Sequence, residues 1–277
     1  MNAPGLADRA DVFAANRAHG CIDLTVAAAD GVTRPARLRE EGSLRMRFPN
    51  VARGGLEGVV VNTAGGVAGG DKFGLRVAAG AGAAMTVTTA AAEKAYRSLG
   101  PAAEIGVALE VGTGGKLAWL PQETILFDRA RLKRSFDVEL AADASLVLAE
   151  AIVFGRAASG ERVEEGSLID RWRIRRGGRL IFAETLRLDG AIARKLAEPA
   201  VAAGGAAVAT VLLIPGEERH AEAVRELADR FSGEVGASCW NGLCLVRFVA
   251  HNGACLRDDL TLALGALSVV LPRIWLN

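Results

Sequence analysis

Apolar and polar residues alternate along most of the chain from about residue 20 to residue 215. In one such stretch, Phe136, Val138 and Leu140 alternate with acidic residues. A period of two residues is typical of β-strands that bury one face. Turn signals containing glycine recur roughly every 10 residues between these stretches, at Gly31, Gly42, Gly54–Gly55, Gly80–Gly82 and Gly112–Gly115. The pattern predicts a mainly β protein with many short strands stacked in layers.

One predicted hairpin carries acidic residues among its apolar ones. Its turn lies at Gly177–Gly178. Before the turn, Asp170 shares a face with leucine, tryptophan and isoleucine, and after the turn Glu184 shares a face with phenylalanine and leucines. Arginines alternate on the other face of the first strand, as expected of a half-exposed hairpin. Glu184 is therefore predicted to point toward the apolar side of its strand.

The hydrophobic period changes near Glu217. Apolar residues within 221–231 follow helical spacing, with charged residues elsewhere on the helix surface. Asn241–Gly242 is the strongest short hairpin signal in the chain. A second helical pattern covers 256–267 and ends before Pro272. The sequence therefore predicts two helices near the C-terminus, separated by a hairpin.

Nothing resembling a flexible linker divides the chain, so we expect one domain over residues 1–277. It has a β body at about 15–215 and a helix–hairpin–helix portion at about 216–277. Pro199–Gly216 contains no charged residue, but its glycines and flanking prolines fit a buried strand after a turn better than a bilayer helix. Charged residues within Met1–Gly20 argue against a signal peptide. We expect a cytoplasmic protein that does not bind membranes.

The composition argues against several classes of function. The 33 basic and 32 acidic residues nearly cancel, which disfavours nucleic acid as a partner because phosphate binding usually needs a basic excess. Three histidines leave little material for a histidine-built metal site or a nucleophile–base pair. The four cysteines form no CxxC pair. Cys239 and Cys244 flank a predicted turn, where a disulfide is conceivable, but free thiols fit a reducing cytosol better.

The segment Asn62–Asp71, which reads NTAGGVAGGD, is the most distinctive in the chain. A P-loop would continue with Lys and then Ser or Thr, whereas here Asp71 follows Gly70 directly. A dinucleotide-binding motif would continue into a helix, whereas residues 73–77 continue as a strand pattern. We therefore expect these glycines to provide tight backbone geometry, with Asp71 closing a turn or meeting a partner.

Several segments together resemble the signature of the UreD family of urease accessory proteins, called UreH in some bacteria. These are Asn62–Asp71, Val87–Ser98 (VTTAAAEKAYRS), Trp119–Leu132 (WLPQETILFDRARL), Gly155–Glu161 (GRAASGE) and Pro272–Trp275 (PRIW). The resemblance implies strands wound or stacked in two layers, in a β-helix-like manner, with a small helical part near the C-terminus. It also implies a non-enzymatic scaffold that binds apo-urease and recruits UreF. UreF in turn holds the GTPase UreG, which carries nickel toward the urease site. No tightly bound cofactor is expected, although nickel can be bound transiently.

The resemblance points to a set of residues that serve partner binding or the structure of the motifs. The set contains Asn62, Thr63, Gly65, Gly66, Gly69, Gly70, Asp71, Glu93, Lys94, Tyr96, Arg97, Gln122, Glu123 and Thr124. Tyr-Arg pairs are common at interface centres, but Tyr96 and Trp119 could equally cap the core between the layers. Residues 122–124 separate two apolar strand segments, where a turn or bulge would present them outward.

A weak nickel passage lined by oxygen ligands is a further implication of the resemblance. Its candidates are Asp71, Glu150 and Glu184. Glu150 ends an apolar stretch, and a carboxylate on a buried face needs a partner, water or a metal to offset its desolvation. The alternative is an ordinary salt bridge, for example to Arg156 or Arg187.

Two other classes of function remain open. One is a small enzyme on a β scaffold that uses Asp71 and Glu123 as acid and base. The other is a nickel-storing protein with several tight sites. Detectable turnover would favour the first and equilibrium dialysis would reveal the second.

Overall fold

The computed structural model describes residues 16–50, 55–156 and 159–276. Three sequence predictions fall partly outside these residues. They concern the charged start of the chain before residue 16, the turn at Gly54, and the centre of the segment Gly155–Glu161.

Sheet A has seven strands in the order β14-β13-β11-β8-β5-β1-β2. The five inner strands run parallel to their neighbours, and the edge strands β2 and β14 are antiparallel to theirs. The bounds are β1 (His19–Ala29), β2 (Val32–Gly42), β5 (Lys72–Ala79), β8 (Ala103–Val111), β11 (Arg131–Leu140), β13 (Glu165–Arg176) and β14 (Arg179–Ala191).

Sheet B has ten strands, eight of them in the order β16-β17-β15-β12-β9-β6-β4-β3. The two others form a branch in which β7 pairs with β10 and β10 pairs with β12. The bounds are β3 (Leu44–Arg47), β4 (Leu56–Asn62), β6 (Ala84–Thr89), β7 (Glu93–Ala95), β9 (Lys116–Trp119), β10 (Thr124–Leu126), β12 (Ser145–Phe154), β15 (Ala207–Ile214), β16 (Glu234–Trp240) and β17 (Leu243–Ala250).

From β4 to β13 the chain alternates between the sheets, so that successive coils stack as in a β-solenoid. Tight turns at 80–83, 112–115 and 141–144 lead from sheet A to sheet B. Gly82 and Gly114 adopt positive φ angles of 65° and 64° in the first two of these turns, a conformation that glycine adopts without steric cost. The predicted β-helix-like fold in two layers is thus confirmed.

The main core fills the space between the two sheets. Along β11, Leu132, Phe136, Val138 and Leu140 point inward and are buried, as the period-two pattern predicts. Arg134 occupies an inward position in the same row and is also buried. A guanidinium is therefore held inside the solenoid, and this position determines the charged site described below.

Among the residues that the structure describes, three α-helices complete the fold: α1 (Ile192–Ala197), α2 (Glu218–Arg225) and α3 (Gly253–Ala266). The last two pack on the outer face of sheet B around a second core, and they confirm the two predicted C-terminal helices. α2 is shorter than its pattern, and 3-10 turns follow at Ala228–Arg230 and later at Arg273–Leu276. The predicted hairpin forms around Asn241–Gly242.

The short helix α1 was not predicted from the sequence. Its six residues provide little periodic signal, and it is held by burial of Ile192 and Leu196. The uncharged stretch after it contains β15, which confirms the buried strand. In the part of the chain that the structure describes, no helix is long and apolar enough to cross a membrane.

Candidate functional site

Four connections lead from sheet B back to sheet A and are longer than the opposite turns. They cover residues 63–71, 90–102, 120–130 and 155–164, and we call them the arc edge. Val67 forms a parallel bridge with Ala95, and β7, β10 and β12 pair in parallel farther along. The arcs therefore lie on one another, and four of the five motif segments meet at this edge.

The first arc is shaped by hydrogen bonds to its backbone. The two carboxylate oxygens of Asp71 accept the N–H groups of Ala18 and Ala68, at 2.9 and 2.7 Å. Asn62 Nδ2 donates to the Gly66 carbonyl oxygen at 3.0 Å. A Cβ atom on Gly69 would lie 1.9 Å from Ser98 Oγ. The arc needs glycine at this position because the second arc packs directly against it.

The second, third and fourth arcs together form a surface cluster of Tyr96, Phe127 and Arg156, in which Tyr96 and Arg156 are exposed and Phe127 is half-buried. The rings of Tyr96 and Phe127 meet edge to face at 5.2 Å, and the Arg156 guanidinium lies 4.4 Å from the Phe127 centroid. Tyr96 Oη donates to the Gly65 carbonyl oxygen at 2.9 Å, and the residue remains 38% exposed. Trp119, in contrast, is buried in the core, so the two rings do not form a shared cap.

The neighbours of Tyr96 divide between surface and interior. Lys94 and Arg97 are exposed. Glu93 is half-buried and accepts hydrogen bonds from Asn62 Nδ2, and burial raises the pKa of its carboxyl above the ordinary value. On the first arc, Thr63 Oγ1 donates to the Ser43 carbonyl oxygen.

Residues 122–124 face a different environment from the expected one. The prediction that a turn or bulge presents them outward is wrong for Gln122 and Thr124, which are buried. Arg257 of α3 donates to Gln122 Oε1 and to Glu123 Oε2. A polar residue between apolar segments can be satisfied by a distant partner as well as by water, and here that partner comes from the C-terminal helix.

Trp275 of the PRIW segment packs against the Arg257 side chain and supports this contact. The Arg257 guanidinium lies 4.8 Å from the Trp275 ring centroid, and Trp275 Nε1 donates to the Leu120 carbonyl oxygen at 3.0 Å. Two motif segments that are far apart in sequence therefore act as one structural unit.

A cavity of about 160 Å³ lies between the sheets, next to the edge strand β14. Its wall is largely apolar, but Glu150, Asp170, Glu184 and Arg247 also line it. The structure thus brings together two of the three nickel-passage candidates and adds Asp170. Asp71 is not part of this lining and belongs to the first arc.

Two of the lining carboxylates, Glu150 and Asp170, pair with a buried arginine that is not itself part of the lining. Arg134 binds Glu150 through Nη1 and Asp170 through Nη2, the latter at 2.6 Å. Trp119 Nε1 donates to Glu150 at 2.8 Å and Trp172 Nε1 to Asp170 at 3.3 Å. Burial raises the pKa of the Glu150 carboxyl to about 7, and the attraction of Arg134 opposes this effect.

A second ion pair lies nearer to solvent. The two terminal nitrogens of Arg247 donate to the two carboxylate oxygens of Glu184, at 2.8 and 2.6 Å. Salt bridges were the alternative to a nickel passage, and both glutamates form them, but not with the arginines suggested. Arg156 pairs with Glu161, and Arg187 lies 4.0 Å from Asp189. Nothing local in the sequence identifies Arg134 or Arg247 as the partners.

The two other classes of function have no assembled site among the residues described. No group of three or more His, Cys, Asp or Glu side chains there could hold a metal ion. The carboxylates of Asp71 and Glu123 are engaged with backbone N–H groups and with Arg257. The four cysteines are free thiols.

Comparison with known proteins gives one consistent result. The sequence model of the family described as "UreD urease accessory protein" matches residues 18–276. The urease accessory protein UreD of Rhodopseudomonas palustris (strain BisA53) is 56% identical over 266 residues, which cover 96% of this chain and 93% of the relative. That of Bradyrhizobium diazoefficiens is 57% identical over 266 residues, with 96% of each chain covered. UreD 3 of Bradyrhizobium sp. (strain BTAi1) is 54% identical over 278 residues, with full coverage of both.

Proposed function

This chain belongs to the UreD family of urease accessory proteins, and we propose that it is a scaffold for nickel insertion into urease. In this role it binds apo-urease and recruits UreF, and through UreF the GTPase UreG. The scaffold acts in the cytoplasm, without nucleic acid or membrane as a partner and without a catalytic step of its own.

The observation that carries this proposal is the arc edge. Three motif segments, separated by tens of residues in sequence, are joined there by parallel backbone pairing, and Arg156 of a fourth segment packs on the Phe127 ring. Tyr96 and Arg156 provide an exposed aromatic and an exposed guanidinium in direct contact with Phe127. Tyr and Arg side chains with such support dominate binding energy at many interfaces. We therefore assign partner binding to this edge.

A pull-down against separately expressed UreF and apo-urease tests the assignment. Tyr96→Ala should weaken capture of one of the two partners by at least tenfold, a typical loss at an interface centre. Trp240→Ala is the matched control, because Trp240 is an aromatic residue of similar exposure outside the arc edge, 41% against 38%. Equal capture by the Tyr96 variant and the wild type would contradict the assignment.

Nickel binding is proposed to be transient, with no tightly bound cofactor. The proposed passage runs through the cavity, where Glu150 and Glu184 provide carboxylate oxygens that suit a weakly held divalent ion. Asp71 contributes to the passage only indirectly, through the shape of the first arc.

Reconstituted urease activation tests the passage separately from assembly. Glu150→Ala and Glu184→Ala should lower nickel loading of urease while the complex with UreF still forms. Lost assembly, or unchanged loading in both variants, would count against the passage. Equilibrium dialysis that finds several tight nickel sites would favour storage instead.

A further inference from the structure

We propose that Cys239 and Cys244 are a reversible redox pair, which hydrogen peroxide oxidises to a cross-strand disulfide. The disulfide removes a contact that holds the start of helix α2. Both cysteines are free thiols in the structure, and a disulfide in a reducing compartment is usually transient. The inference does not depend on the proposed scaffold function. It arises from the hairpin that joins β16 to β17, where these two thiols face each other.

The hairpin turn places the two cysteines opposite each other. Asn241–Gly242 forms a two-residue turn, and both of its residues have positive φ angles, 49° and 73°, as a type I′ turn requires. Trp240 and Leu243 pair directly beside the turn, and Cys239 pairs with Cys244 one position farther out. The residues beside a two-residue turn exchange backbone hydrogen bonds, so the cysteines form the next pair, whose backbones are not hydrogen-bonded to each other. Side chains approach each other most closely at such pairs.

This spacing fits a disulfide without movement of the backbone. The Cα atoms of such a pair lie about 4.5 Å apart, and disulfides span Cα separations of ~4.4–6.8 Å. Both thiols lie on the same face of the hairpin, because Cys244 belongs to the second core and Cys239 packs against it. Their side chains also form a hydrogen bond with each other. A disulfide at the short end of the range is strained and easily reduced, so the oxidation is reversible.

The two thiols differ in exposure and acidity. Cys239 is half-buried, whereas Cys244 is fully buried. Burial and the hydrogen bond with Cys239 raise the pKa of the Cys244 thiol to about 12, so this thiol stays protonated at neutral pH and is a poor target for peroxide. Hydrogen peroxide therefore reacts with Cys239 first.

The oxidation proceeds in two balanced steps. In the first, the Cys239 sulfur attacks one peroxide oxygen, the O–O bond breaks, and a sulfenic acid and a water molecule form. In the second, the Cys244 sulfur attacks the Cys239 sulfur, the S–S bond forms and the S–O bond breaks. The hydroxide that leaves takes up the Cys244 proton as a second water molecule. The two sulfurs together give two electrons to one peroxide molecule.

Oxidation removes a hydrogen bond at the start of α2. The Cys239 thiol donates to the Glu217 carbonyl oxygen at 3.1 Å, and Glu217 caps this helix at its N-terminus. A disulfide has no S–H group, so this donor is lost. The Glu217 carbonyl oxygen then keeps the N–H group of His220 as its partner. The first turn of α2 is therefore held less firmly in the oxidised protein.

Peptide mapping of the full-length protein after treatment with hydrogen peroxide tests the pair. Trypsin cleaves after Arg230 and Arg247, so one peptide, 231–247, carries both cysteines. After oxidation and unfolding, this peptide should have lost the mass of two hydrogen atoms and should take up at least about tenfold less alkylating reagent. Dithiothreitol should restore both. Cys21 and Cys255 lie on other peptides and, as internal controls, should remain alkylated.

A variant separates the two steps. Dimedone, which labels sulfenic acids, should label Cys239 in the Cys244→Ala protein and neither of the two cysteines in the wild type. Equal alkylation of the peptide 231–247 before and after peroxide would overturn the redox pair. A disulfide between two protein molecules, or oxidation of wild-type Cys239 to a sulfinic acid, would overturn it as well.

Hydrogen exchange tests the effect on α2. Peroxide should speed the exchange of the α2 amides about threefold in the wild type. Cys239→Ser is the matched control, because its hydroxyl can still donate to the Glu217 carbonyl oxygen but cannot form a disulfide. Its exchange should be the same with and without peroxide. Unchanged exchange in the oxidised wild type, or an equal rise in Cys239→Ser, would overturn the effect on the helix.

Discussion

The arc edge and the charged cavity are built from the same stacked coils but by different interactions. At the arc edge, glycines and backbone hydrogen bonds let one connection lie against the next. Around the cavity, side chains from five strands, β11 to β14 and β17, bring charges together. One edge of the solenoid thus depends on backbone shape, whereas the region around the cavity depends on charge balance.

The largest loss of folding stability should follow from a substitution among the buried charges. Arg134→Met leaves Glu150 and Asp170 unpaired inside the protein, and loss of one partner from a buried ion pair costs about 3–5 kcal/mol. Denaturant unfolding would measure this loss of stability. A triple variant that also carries Glu150→Gln and Asp170→Asn should recover part of it. A single variant as stable as the wild type would mean that charge balance does not hold the interior together.

The pH dependence of stability should single out Glu150. Its folded-state pKa of about 7 lies above the ordinary value of 4.5, so between these values the folded protein holds a proton that the unfolded chain has lost. The contribution of Glu150 to the free energy of unfolding is therefore fully present at low pH and is lost as the pH rises toward 7. Glu150→Gln has no such carboxyl to titrate. Its free energy of unfolding, relative to that of the wild type, should therefore rise by on the order of 2 kcal/mol between pH 5 and pH 8. A pH-independent difference in unfolding free energy would contradict the raised pKa.

A single methyl group added at a tightly packed glycine of the arc edge should lower the stability of the protein. Gly69→Ala brings Cβ against Ser98 and the Pro101 carbonyl oxygen and should destabilise the protein by about 1–3 kcal/mol. Gly74→Ala is the matched control, since a Cβ on that strand glycine meets no atom within 4 Å. Thermal unfolding of the two variants compares them directly. Equal melting temperatures would mean that the arcs are not tightly packed.

The smallest loss of folding stability should follow from breaking the partly exposed ion pair between Arg247 and Glu184. Arg247→Gln should lower the unfolding free energy by less than about 1 kcal/mol, because water screens a partly exposed ion pair. The contrast with Arg134→Met then compares a buried arginine that serves two carboxylates with a half-exposed arginine that serves one. A loss from Arg247→Gln as large as that from Arg134→Met would mean that burial does not decide how much each ion pair contributes to stability.

The sequence predicted the parts of the site that depend on local signals. Glycines in the segment Asn62–Asp71 indicated tight geometry, and the alternation around Glu184 indicated that it points inward. The partners of the charged groups could not be predicted in this way. Glu184 and Arg247 are 63 residues apart, and Arg134 and Asp170 are 36 apart. Their meeting depends on strand order, which local periodicity does not encode.

The sequence by itself determined the strands, the turns, the hairpin at Asn241–Gly242 and the two C-terminal helices, because backbone preference and hydrophobic period act over a few residues. Only the tertiary structure decided the stacking of the arcs, the inward position of Gln122 and the arginines that pair with the carboxylates of the cavity wall. These features arise when winding places distant coils in contact, and the desolvation of each charge then selects the partner that compensates it.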